Sequence, residues 1–249
     1  MFTYVLIPGA GGEAWYWHRV VAELERRGRV GLAIDLPAAD DTAGLSEYVD
    51  AVMQAIGDRE QLVLVAQSLG GFTAPIVCDR VPVDLLVLLN AMIPAPGESG
   101  NEWWTNTGHE QARAEHAART GRTLTDEVDP FEEFFHDVPQ DVIDEAIRRG
   151  EPPQSGTPMS EPWPLAAWPD VPTRVLTARD DRFFPVQFQR QVSAERLGIT
   201  PDEMPGGHLV ALSQPAGLTD RLEAYVAEFG IDEDAIRRAR ALGRADAQR

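Results

Sequence analysis

Short, almost uniformly apolar runs recur along this chain, each followed by a stretch of helical periodicity, and that alternation leaves few folds open. The runs fall at 2–7, 30–35, 62–66, 85–90, 173–178 and 199–204. They are rich in Val, Leu and Ile with little polar alternation, as expected for strands covered on both faces of a parallel sheet. Helical patterns over 14–27, 45–56, 69–79, 186–197 and 215–229 supply the covers, and right-handed crossovers distribute them over both faces. The expected architecture is α/β, a mostly parallel sheet of about six strands flanked by helices.

The rhythm breaks between 94 and 170. This stretch has no strong strand, but it carries Trp103, Trp104, Trp163 and Trp168, helical patterns at 110–119 and 140–149, and a Pro-rich segment at 152–164. A long, aromatic and partly helical insertion after a strand reads as a lid over a site. The expected organisation is an α/β core from 1–93 and 171–230, a helical cap insertion over 94–170, and a polar tail over 231–249. The tail is rich in Ala and Arg without a strong apolar face, and a frayed or disordered end is expected there. A chain of 249 residues with 43% hydrophobic content can build one sizeable core.

Composition removes several function classes. A formal charge of −18 argues against nucleic acid, whose phosphates require clustered positive charge. All 22 basic residues are Arg, so Schiff-base chemistry on a lysine is excluded. Cys78 is the sole cysteine, which rules out an internal disulfide and a cysteine metal cluster; on an apolar helix it reads as a buried thiol. No apolar run approaches the roughly 18 residues of a membrane span, and the first residues lead straight into a strand rather than a leader peptide. The expectation is a soluble, cytoplasmic protein with a small-molecule substrate and no membrane partner; the oligomeric state is left open.

The segment that carries chemistry is Leu62-Val63-Leu64-Val65-Ala66-Gln67-Ser68-Leu69-Gly70-Gly71. A buried strand runs into a serine, then small residues, then a helix. A tight strand–serine–helix turn lifts the hydroxyl above the sheet edge, and small neighbours are needed because the turn forces close backbone contacts. The same geometry puts the Leu69 amide at a helix start, where it can donate to a developing oxyanion. The competing reading is a plain strand-to-helix turn with Ser68 as an N-cap.

This segment resembles the nucleophile elbow G-x-S-x-G of the α/β-hydrolase superfamily, with Ala66 in the place of the first glycine. Two further loops resemble that superfamily. Met204-Pro205-Gly206-Gly207-His208 is similar to its final loop, where the histidine base follows small residues after the last strand. Ala178-Arg179-Asp180-Asp181-Arg182-Phe183-Phe184-Pro185 is similar to its acid loop G-x-x-D-x-x-x-P, with Asp181 as the acid and Asp180 as the competitor. The resemblance therefore implies a catalytic Ser68, His208 and Asp181, in the chain order this fold uses. It places Pro8-Gly9-Ala10-Gly11-Gly12 where the superfamily has a His-Gly oxyanion loop, so Ala10 and Leu69 would supply the two oxyanion amides. Pro8 stands in the histidine position. In layout the chain is most similar to the plant methylesterase and hydroxynitrile-lyase branch: the first strand begins early, no extra hairpin precedes it, and Trp15 and Trp17 follow the oxyanion loop as W-x-W. Hydroxynitrile lyases of that branch use a cap lysine, and this chain has none, which favours ester cleavage.

The implied function is a serine hydrolase cleaving an ester or related acyl bond of a small, mostly apolar substrate, with no cofactor or metal; Trp103, Trp104 and Trp163 are expected as substrate contacts, the alternative being that at least two of the insertion's tryptophans form its own core. Two alternatives stay open. The same fold hosts lyases, cofactor-free oxygenases and binding proteins. In addition, Gly9-Ala10-Gly11-Gly12-Glu13-Ala14 fits a G-x-G-x-x-A dinucleotide fingerprint, with Asp35 about 20 residues further on.

Overall fold

The computed structural model describes residues 2–124 and 128–228. The tail expected over 231–249, and the last residue of the helix expected over 215–229, lie outside the described residues. Six strands form one sheet: β1 (Thr3–Ile7), β2 (Val30–Ala33), β3 (Leu62–Gln67), β4 (Leu85–Leu89), β5 (Thr173–Ala178) and β6 (Asp202–Met204). Their order is β2-β1-β3-β4-β5-β6, and every pairing is parallel. The strand order reverses at β1, so β1 and β3 flank the switch point, where open α/β sheets hold ligands beyond the carboxyl ends of their strands.

The strand sequences show why both faces must be covered. Along β1, Val5 and Ile7 join one hydrophobic cluster while Tyr4 and Leu6 join the other. Along β3, Leu62, Leu64 and Ala66 point one way, and Val63 and Val65 point the other. Strand residues alternate faces, so an unbroken apolar run demands two cores. Helices α2 (Leu45–Ile56), α3 (Gly70–Arg80) and α9 (Val186–Leu197) build the first core; α1 (His18–Arg26) and α11 (Pro215–Glu228) build the second. A fully buried Leu or Val contributes about 1.5–3 kcal/mol, and β3 is buried along its whole length.

Two elements depart from expectation. The helix expected from 14 opens as a 3₁₀ turn over Ala14–Trp17 before α1 begins. The last strand starts at Asp202 rather than 199, because Pro201 has no N–H to give to a ladder.

Between β4 and β5 the chain forms α4 (Gly100–Asn106), α5 (His109–Arg119), α6 (Pro130–Glu133), α7 (Gln140–Arg149) and α8 (Thr157–Ser160). This stretch shares the cores of the sheet: Trp103 on α4 and Trp163 after α8 belong to the first cluster, Val138 before α7 and Val142 on it to the second. The single turn α10 (Val210–Ser213) follows β6. Among the described residues, no helix is long and apolar enough to cross a membrane.

Candidate active site

Ser68 sits between the last residue of β3 and the start of α3 with φ of 50°, one of the non-glycine residues held in the left-handed region. Such a residue is strained and persists only where its surroundings over-determine it. Here the Ser68 N–H donates to Leu89 O at 3.3 Å, and its carbonyl accepts from Gly71 N and Met92 N at 3.0 and 2.9 Å. The close approaches explain the glycines around it. A Cβ on Gly71 would overlap the Met92 carbonyl oxygen, and one on Gly9 would lie 2.7 Å from Ser68 Cβ. The loop after β1 is therefore pressed directly against Ser68. Among the described residues, no hydrogen-bond acceptor faces the backbone N–H of Ala10 or of Leu69.

Asp181 and His208 meet in the loops after β5 and β6. His208 Nδ1 lies 2.8 Å from Asp181 Oδ2, so the proton sits on Nδ1 and Nε2 is left free as an acceptor. The other oxygen, Asp181 Oδ1, accepts from Phe183 N and Phe184 N at 2.9 and 2.8 Å. Asp181 has no exposed surface and His208 only 3%. The competitor Asp180 is exposed and accepts instead from Gly206 N at 3.0 Å. Phe134, Phe183 and Phe184 surround the imidazole at ring distances of 5.5, 5.5 and 5.0 Å.

The histidine loop is tied to the ends of the central strands. Gln67, the residue before Ser68, donates from Nε2 to His208 O at 3.4 Å. Asn90, wholly buried at the end of β4, donates from Nδ2 to both Gly207 O and His208 O at 3.2 Å, and accepts from Ala178 N at 2.7 Å. Asn90 thus bridges the acid loop and the histidine loop. Sequence reading passed over it, although a lone amide ending an apolar strand was a visible signal. Asp137, from the insertion, adds an acceptor for Gly207 N at 2.7 Å.

The three tryptophans expected as substrate contacts differ in burial. Trp103 has no exposed surface and donates from Nε1 to Ile93 O at 3.0 Å; Trp163 is 2% exposed and donates to Phe72 O at 3.0 Å. Both are core residues with their polar atoms committed to backbone carbonyls, and Trp163 also lines a cavity with Pro94, Pro96, Trp168 and Arg196. Trp104 is half-buried and packs on His109, Phe183 and Phe184. His109 belongs to this aromatic group and donates from Nε2 to Phe183 O at 2.7 Å. Burial holds its pKa below the ordinary histidine value.

The glycine loop is occupied by the protein's own groups where a dinucleotide would bind. Asp35 Oδ1 accepts from Ala14 N at 2.7 Å, and Gly11 N donates to Gln154 Oε1 at 2.8 Å. One oxygen of Asp35 and the Gly11 amide are thus engaged within the protein, where the fingerprint would turn both toward a dinucleotide.

A family described as the alpha/beta hydrolase family matches residues 4–221. The chain belongs to the alpha/beta hydrolase family. Among curated proteins, it is 36% identical over 107 residues to the probable esterase PIR7A of rice (Oryza sativa), a match covering 38% of this chain and 41% of that protein. It is 32% identical over 124 residues to methylesterase 3 of Arabidopsis thaliana, covering 45% of this chain and 47% of that protein. The matches thus span less than half the length of these curated relatives, and they bear out the likeness to the plant methylesterase branch. In structure, the alpha/beta hydrolase chain superposes on a pyrethroid hydrolase from Sphingobium faniae with a TM-score of 0.66 at 22% identity, covering 91% of this chain and 98% of that one.

Proposed function

We propose that the chain is a serine esterase that works through an acyl-enzyme. Ser68 Oγ attacks an ester carbonyl while His208 takes its proton at Nε2. Asp181 holds the imidazole by its Nδ1–H and stabilises the imidazolium formed during attack. The free N–H groups of Ala10 and Leu69 receive the charge that develops on the carbonyl oxygen. His208 then protonates the departing alcohol, and water hydrolyses the acyl-enzyme with His208 again as base. Every proton and charge is handled by these side chains and amides, so the cycle requires no cofactor.

Two separate observations support this reading: the buried 2.8 Å contact between His208 Nδ1 and Asp181 Oδ2, which carries it, and the left-handed conformation of Ser68. The relatives' names, esterase and methylesterase, support ester cleavage. The rings of Phe134, Phe183 and Phe184 around His208 favour a small, uncharged and mostly apolar substrate, with the insertion over 94–170 acting as its cap and Trp104 as a further contact.

The test is labelling with a fluorophosphonate probe, comparing the native chain with Ser68→Ala and His208→Ala. Labelling of the native protein that disappears in both variants is expected, followed by turnover on short p-nitrophenyl esters. A folded native protein that does not label overturns the assignment.

A further inference from the structure

We propose that Gln154, which belongs to the insertion rather than the core, is a positioning residue for the oxyanion hole. It orients the loop whose Ala10 N–H receives the developing charge. The inference rests on the serine esterase reading.

The geometry begins with two successive peptide planes. The Gly9 carbonyl accepts from Gly12 N at 3.1 Å. In a planar trans peptide the C=O and N–H point in opposite directions, so the Ala10 N–H of that plane points out of the turn. The next plane carries the Gly11 N–H, which donates to Gln154 Oε1 at 2.8 Å. Gly11 and Gly12 have φ of 86° and 64°, and glycine adopts such values without a side chain to hold it there. The Gly9–Gly12 bond closes the turn from within, and the adjoining plane, which carries the Gly11 amide, is held from outside the loop by Gln154.

Gln154 is built for that task. Its Nε2 donates to Tyr48 Oη at 3.1 Å and to Ser155 O at 2.7 Å, which leaves Oε1 as the atom that faces Gly11. Tyr48 is 1% exposed on α2, so the amide is braced from a rigid element. Pro152 closes the same side, since a Cβ on Gly11 would lie 2.7 Å from Pro152 Cγ. The segment is strapped to the core by Ser155 N to Ala38 O and Thr157 Oγ1 to Asp41 O, both 2.7 Å. The insertion thus reaches behind the oxyanion loop as well as over the site.

Removing an oxyanion donor outright costs about 10²–10³ in kcat, and a donor left in place but unbraced loses part of that. Gln154→Met keeps the side-chain length and removes the acceptor. On p-nitrophenyl butyrate its kcat is expected to fall about tenfold with KM nearly unchanged, and the Ki of a trifluoromethyl ketone, whose adduct carries the oxyanion, is expected to rise by a similar factor. Gln191→Met makes the same change at an exposed position of α9 and is expected to leave all three constants unchanged. If Gln154→Met does not fold, Gln154→Asn, one methylene short of Gly11, serves in its place. Wild-type kcat in the variant, a loss confined to KM, or an equal loss in Gln191→Met overturns the proposal. A native enzyme that neither labels with fluorophosphonate nor turns over overturns the esterase reading itself, a different result from the Gln154 variant alone keeping full activity.

Discussion

His208 Nδ1 lies 2.8 Å from Asp181 Oδ2, in a setting where neither side chain is open to solvent. The carboxylate's second oxygen is taken by two backbone amides, Phe183 N and Phe184 N, so Asp181 cannot rotate away without breaking three contacts. The pair fixes one tautomer of the imidazole. Asp181→Asn keeps the shape but offers an N–H where an acceptor is required, which favours the wrong tautomer. The expected result is a fall of about 10⁴-fold in kcat on a short ester with an unchanged circular dichroism spectrum. A fall of less than tenfold would show that the pair only buttresses the loop.

Gly71 tests how tightly the turn at Ser68 is built. An added methyl would run into the Met92 carbonyl, which is backbone and is itself tied through Met92 N to Ser68 O. Gly71→Ala is expected to destabilise by about 3 kcal/mol, the upper part of the range for overpacking, and to lower Tm by on the order of 8 °C. Gly156, with nothing within 4 Å of an added Cβ, is the control, and Gly156→Ala is expected to leave Tm within about 2 °C. Equal shifts in the two variants would contradict the steric account.

Much of this arrangement was legible in the sequence because parallel strands buried on both faces leave long apolar runs with sharp ends. The six strands follow from that pattern, and the loops bearing Ser68, Asp181 and His208 stood out at the strand ends by their resemblance to the superfamily's motifs. Which tryptophans are core was not legible, because composition reports an aromatic ring but not whether its indole N–H is already bonded, and those of Trp103 and Trp163 are. Asn90, His109 and Gln154 were missed for a related reason. Their partners lie 117, 74 and 143 positions away, and no local pattern records a contact over such separations.

His109 should make stability depend on pH. Burial is the largest cause of its lowered pKa, with Arg113 acting in the same direction and Asp181 opposing it. The unfolded chain then binds a proton at a pH where the folded chain does not, so stability rises with pH in that range. The contribution is full above the ordinary value of 6.5 and is lost as pH falls towards the lowered folded value. His116 and His136 are shifted the same way, each chiefly by burial. Native Tm is expected to drop between about pH 7 and pH 5, and His109→Gln, which keeps a donor for Phe183 O but does not titrate, is expected to flatten part of that slope. Parallel Tm curves for the two proteins would remove His109 from the account.

The insertion is anchored at its entry by Glu98, whose carboxylate forms a forked pair with Arg196 on α9. Glu98 also accepts from Ala95 N at 3.0 Å and Asn106 Nδ2 at 2.8 Å, so it holds the turn into α4 as well. Burial acts to raise its pKa, but Arg196 and these two donors outweigh it and the net shift is downward. The pair's contribution is therefore present above the ordinary carboxylate value of 4.5 and is lost as pH falls through the lowered one. The two side chains are 5% and 15% exposed, so removing one leaves its partner largely cut off from water. Glu98→Ala is expected to cost about 3 kcal/mol at neutral pH, the lower end for a broken buried pair because Arg196 keeps some solvent. Glu98→Ala combined with Arg196→Ala is expected to cost less than the sum of the single changes, since the stranded charge is gone in the double variant. Urea unfolding of the four proteins gives the coupling directly, and strictly additive losses would mean that Glu98 acts through Ala95 and Asn106 alone.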